Sequence, residues 1–125
     1  MNIENMKSNL KMNNLYFKSL SFSRKSSIAS GEVGIDVKRN IVNICEHQYR
    51  VELITNITKE DMNLNIVAEA EFIYDSDDID NEENIISINT VAIMFPFVRS
   101  EVTLMTSQPG MTPIVLPTIN TQKLV

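Results

Sequence analysis

The sequence predicts an α+β domain: a four-stranded antiparallel sheet followed by one long Pro-interrupted helix and an extended Pro-rich C-terminal segment. Three observations predict it. Apolar residues alternate with polar ones over several consecutive runs joined by short turns, the period of half-buried strands. Beyond an acidic stretch the apolar period lengthens from two residues to the 3.6 of a helix. The last apolar run, Met111 to Asn120, then carries two prolines, which exclude both a helix and an inner strand.

The first strand is read from Met12 to Phe22. Leu15 and Phe17 share one parity, Leu20 and Phe22 the other, so a bulge is expected near Ser19. Ser23 to Gly31 reads as a loop, and Val33, Ile35 and Val37 open a second strand that continues to Cys45. A turn at Glu46–Gln48 leads into Tyr49, Val51, Leu53, Thr55 and Ile57. A charged turn at Thr58–Asp61 precedes the cleanest alternation, Met62 through Phe72 and Tyr74, whose opposite parity carries Asn63, Asn65, Glu69 and Glu71. Short turns make such strands antiparallel, with one face of the sheet covered. Asp75–Asn84 reads as an acidic connector. Its spacing lacks the mid-loop glycine of a calcium loop, so no metal is expected there. Asn89–Thr90 is the expected cap of a helix with Val91, Ala92, Met94, Phe95, Val98, Val102 and Met105 on one broad apolar face, a kink or restart at Pro96, and a stop at Gln108–Gly110. Residues 1–11 are expected to be a mobile end, and 12–125 a single domain.

Bulk properties narrow the function. The chain has 125 residues, 43 % of them hydrophobic, and a formal charge of −5. An acidic chain whose basic pairs, Arg24–Lys25 and Lys38–Arg39, lack interleaved aromatics is a poor match to nucleic acid. A lone cysteine, Cys45, and an N-terminus without an apolar run suggest a cytoplasmic protein with no disulfide framework. No membrane span is expected. The single histidine, His47, has no catalytic partner in its pattern, and three glycines cannot build a phosphate loop, so neither an enzyme nor a cofactor is expected. What stands out is an apolar surplus at Met94–Pro117, more than a small domain buries alone, which suggests self-association or an apolar client.

Several runs resemble the SecB export-chaperone family. Phe95-Pro96-Phe97-Val98-Arg99 with Val102-Thr103 is similar to the family's helix, and Gly110, Pro113 and Leu116-Pro117-Thr118-Ile119-Asn120 to the proline-rich stretch that follows it. Leu15–Phe22 resembles the family's first strand and Tyr49–Thr58 its third. The resemblance implies an ATP-independent cytosolic homotetramer, a dimer of dimers, that holds unfolded polypeptides for export and uses no cofactor. It implies a client groove, for which Phe72, Tyr74, Met111, Ile114 and Leu116 are the candidates, and a subunit interface on Met94, Phe95, Phe97, Val98 and Val102. Each of these is equally the residue type of an ordinary core. Val67 and Glu69 match the family's docking triplet for the SecA motor. On the first strand, however, Ser19 and Ser23 stand where acids are expected, and the second helix and acidic tail have no counterpart before Val125. A dedicated chaperone of one partner, such as an antitoxin, is therefore the alternative to export, and a client-free oligomerisation module is a third reading.

Overall fold

A computed structural model describes residues 10–25, 31–118 and 120. The strands are β1 (Leu10–Arg24), β2 (Gly34–Cys45), β3 (Gln48–Lys59) and β4 (Met62–Tyr74), followed by helix α1 (Glu82–Met105). They form one sheet in the order β1-β4-β3-β2, antiparallel throughout. Two-residue turns join β2 to β3 and β3 to β4, so those strands are neighbours, and β1 returns to the far side of β4. The fold class is therefore the expected one.

Side-chain parity decides which face is covered. On β3, Tyr49, Val51, Leu53, Thr55 and Ile57 are buried, and their direct partners on β4 are Phe72, Ala70, Ala68, Ile66 and Leu64, all buried too. These rows form one apolar face, and α1 lies across it, packing on β4, β3 and β1. Full burial of a Leu, Ile or Phe side chain stabilises by about 1.5–3 kcal/mol, so this layer is the main source of cohesion. Strand β1 keeps its apolar residues on that face only by shifting register twice, between Asn13 and Tyr16 and between Phe17 and Ser19. The second shift is the bulge expected near Ser19. The first, at Asn14 with φ 56°, falls where the apolar parity passes from Leu10 and Met12 to Leu15 and Phe17, a second break of alternation at which no bulge was expected.

Three boundaries differ from expectation. Leu10 and Lys11 pair with Tyr74 and Ile73, so the strand starts within the segment expected to be mobile; residues 1–9, and 26–30 of the expected loop, lie outside the described residues. Strand β1 also runs on through Arg24. The helix begins at Glu82 rather than after Asn89–Thr90. Glu82 and Glu83 suit a first turn, where carboxylates meet the positive end of the helix dipole. Thr90 sits fully buried in the third turn and returns its hydroxyl to the Ile86 carbonyl at 2.6 Å, which satisfies it without a cap.

Pro96 does not interrupt the helix, which is continuous over 24 residues. Proline removes the bond to the carbonyl four residues earlier. Here Ala92 and Pro96 are both exposed, so that carbonyl lies on the solvent side and water can satisfy it. After Met105 the chain turns at Gln108–Gly110, where Gly110 has φ 72°, and Met111–Thr118 doubles back along the helix. Thr103 Oγ1 donates to the Ile114 carbonyl (2.9 Å), Thr106 Oγ1 accepts from the Ile114 amide (2.8 Å), and Arg99 donates to Thr118 Oγ1 (2.9 Å). The extended segment is thus clipped to one side of α1.

Candidate functional site

The residues expected to form a groove are largely inside the fold. Phe72 and Tyr74 are buried on the sheet face that α1 crosses, flanked by Met12 and Leu10 of β1, and Ile114 is buried as the anchor of the C-terminal segment. Met111 and Leu116 are half-buried against the same core. These five side chains belong to one layer, closed in this conformation. Alternation and proline placement mark residues as apolar and extended but do not say whether another element covers them.

The five helix residues expected at an interface divide in the same way. Met94, Phe95, Val98 and Val102 point into the chain's own sheet, while Phe97 is 46 % exposed. The outward side of α1 also carries Pro96, Leu104 and Ala92, all exposed. Ala92, expected on the apolar face, follows the buried Val91 by a rotation of about 100° and so leaves the sheet. By length and composition α1 is apolar enough to cross a membrane, contrary to expectation from the sequence. The reason is that it is the core helix of the sheet, with Ile86, Val91, Met94, Phe95, Val98 and Val102 buried there.

Val67 and Glu69 lie on the opposite, open face of the sheet, both half-buried. The Tyr16 hydroxyl donates to Glu69 across β1 and β4, and this bond to a carboxylate raises the Tyr16 pKa. Glu52, directly opposite Glu69 on β3, takes a hydrogen bond from Asn40 (3.0 Å) and an ion pair from Lys18 (3.1 Å), and these two donors lower its pKa. Glu69 and Glu52 are thus engaged by their own sheet, while Glu71 and Asp36 share the same face.

The open concave surface lies elsewhere, along β2. Helix α1 crosses the sheet diagonally. It starts beside the β2–β3 turn, where Glu82 is held by His47 and Tyr49, and ends near Arg24, which donates to the Pro109 carbonyl at 3.4 Å. Its first turns therefore run beside β2 rather than over it. Ile35, Arg39, Ile41 and Asn43 share the helix side of β2, because they pair with buried β3 residues, yet Ile35 and Asn43 are exposed and Arg39 and Ile41 half-buried. A cavity of about 200 Å³ opens here between Ile41, Asn43, Tyr49, Glu83 and Ile86. It adjoins a second cavity of about 360 Å³ lined by Asn43, Glu46, His47, Tyr49, Ile79, Asp80, Glu82 and Glu83. Arg39 spans the trough and donates to Ser87 Oγ on α1 at 2.8 Å. Strand β2 is an edge of the sheet, paired on one side only, with Val33, Ile35, Val42 and Ile44 exposed along it. Such an edge offers a row of backbone donors and acceptors to an added strand.

The wall between trough and turn is a hydrogen-bonded carboxylate. Glu82, buried at the helix start, pairs with His47 Nδ1 at 2.6 Å and accepts the Tyr49 hydroxyl. Burial and then the Glu82 bond push the Tyr49 phenol up to about 12. His47 reaches Glu82 because the turn holds it at φ 62°. His47 has no partner near it in the sequence; the carboxylate that meets it lies 35 residues away along the chain. Among the described residues no group of three His, Cys, Asp or Glu side chains is placed to hold a metal.

Comparison with known proteins gives the family and the fold. No curated protein matches the chain by sequence. Among solved structures, a SecB-like chaperone of Mycobacterium tuberculosis, in complex with a peptide from the HigA1 antitoxin, superposes with a TM-score of 0.66 at 9 % identity, covering 89 % of this chain and 91 % of that one. A protein of unknown function from Streptococcus agalactiae has a TM-score of 0.58 at 10 % identity, covering 87 % and 97 %. At such identities the likeness is one of fold. The family model described as preprotein translocase subunit SecB matches residues 3–125, so the chain belongs to the SecB family.

Proposed function

We propose that the chain is an ATP-independent holding chaperone that takes unfolded polypeptide segments into the trough between β2 and α1. The observation that carries this reading is the uncovered edge of β2 running beside an apolar cavity, in a member of a chaperone family. Backbone pairing to an edge strand is tolerant of sequence, and shallow apolar contacts release as readily as they form, which suits a holdase. Self-association through the outward side of α1, where Phe97 and Leu104 are exposed, fits assembly into a dimer of dimers, and we place its activity in the cytoplasm. The decisive experiment is suppression of aggregation of a chemically denatured client at stoichiometric protein without ATP. Unchanged light scattering would refute the reading.

A second reading is a dedicated chaperone of one partner, such as an antitoxin, without a translocase role. The contacts of the docking candidate favour it: Glu69 already takes the Tyr16 hydroxyl and its neighbour Glu52 is paired with Lys18, so a basic motor surface would have to compete with this chain's own donors. The antitoxin peptide bound to the mycobacterial relative points the same way. Purification from the native cell separates the two, since a single stoichiometric companion supports the dedicated role and a mixture of precursors the general one.

A further inference from the structure

The trough is electrically asymmetric, and the asymmetry lies along the direction in which an added strand would run. Arg39 stands midway along β2, its side chain crossing to α1, where Ser87 Oγ takes one of its donors. A guanidinium has five N–H donors, so a neutral hydroxyl leaves most of its hydrogen-bonding capacity and all of its charge open to a ligand. Four residues further along the same side of the strand is Asn43, which lines both cavities, and Glu83 lines both with it from an exposed position on α1. Glu46 and Asp80 add to the negative charge at that end. Between the two ends lies Ile41, the apolar floor.

From this charge pattern the geometry points to a directional code: the trough selects extended segments carrying Lys or Arg four residues before Asp or Glu, with an apolar residue midway. The order follows from antiparallel pairing. In an antiparallel ladder the residue opposite Asn43 precedes the one opposite Arg39 by four, and directly opposed side chains share a face. The basic residue then meets Glu83, the middle residue rests on Ile41, and the acid replaces Ser87 as the partner of Arg39. Arg39 is thus a specificity-determining residue, and a client enters by exchanging a neutral hydrogen bond for a charged one. The inference rests on the proposed trough and assigns its occupant's chemistry.

The test uses two fluorescein-labelled nonapeptides of one composition, apolar and serine otherwise, one with lysine four positions before glutamate and one with the two exchanged. Binding is read by fluorescence anisotropy at low ionic strength. The expected result is about tenfold tighter binding of the lysine-first peptide, the worth of a charge-assisted hydrogen bond. Arg39→Gln should keep binding while reducing the preference below about twofold, Arg39→Lys should retain part of it, and Glu83→Gln, an exposed helix position, should weaken it from the other end. Equal binding of both peptides to the wild type, or an undiminished preference in Arg39→Gln, overturns the code. A preference for the exchanged peptide overturns the antiparallel geometry. Binding of neither peptide, or competition by neither for a denatured client, overturns the trough itself.

Discussion

Replacing Glu82 by alanine tests how the start of the helix is fastened to the sheet. Glu82 is buried at the first residue of α1 and is the shared acceptor for His47 in the β2–β3 turn and Tyr49 at the start of β3. A hydrogen bond to a charged group contributes about 1.5–3 kcal/mol, and a buried hydroxyl left without a partner costs about 1–3 kcal/mol. Relief of the carboxylate's own desolvation offsets part of this loss, so the net destabilisation is about 2–3 kcal/mol. For a chain of this size that corresponds to a fall in melting temperature on the order of 6–12 °C. Far-UV circular dichroism at matched protein concentration measures it, because assembly also shifts the midpoint. A double-mutant cycle with Tyr49→Phe should return a coupling of at least about 1 kcal/mol. Melting within about 1–2 °C of the wild type, or strict additivity in the cycle, would refute the reasoning. A pH dependence follows as well. The Tyr49 phenol titrates at about 12 in the fold against 10 when exposed, so the neutral form is the one the fold favours. Its contribution is complete below pH 10 and is lost as pH rises through 12; Tyr49→Phe should flatten the stability curve across that window.

Three further outcomes are expected. Thr55 is fully buried between Val37 and Ile66 with a hydroxyl that meets no partner, so Thr55→Val should raise stability by about 1 kcal/mol in urea denaturation, with unchanged m-value. Thr106→Val removes both the bond to the Val102 carbonyl and the acceptor for the Ile114 amide. It should speed amide exchange at Ile114 while leaving β3 and β4 protected. Pro96→Ala restores a helix N–H on an exposed side and should stabilise the chain by about 1–3 kcal/mol; destabilisation would mean that the Ala92 carbonyl is not where solvent reaches it.

Much of this architecture was legible in the chain because it rests on short-range periodicity. Tyr49–Ile57 and Met62–Tyr74 alternate without a break, which determines which side chains share a face, and the proline-rich run excludes a final helix. The helix–proline signature, together with the first- and third-strand runs Leu15–Phe22 and Tyr49–Thr58, carried the resemblance to the family. What periodicity could not supply was coverage. Phe72, Tyr74 and Ile114 carry the same apolar signal whether they line a groove or fill a core, and only the position of α1 across β4, β3 and β1 puts them inside. The helix start was missed because Glu82 reads as another acid in a loop until the fold brings His47 and Tyr49 to it. The same diagonal course of α1 leaves β2 overhanging, and so makes an open trough out of Ile41, Asn43 and Arg39, residues that in sequence form an ordinary stretch of strand. Local pattern therefore determined the elements and their apolar faces. The tertiary structure alone decided which apolar surface stayed open, because exposure depends on where the next layer lies.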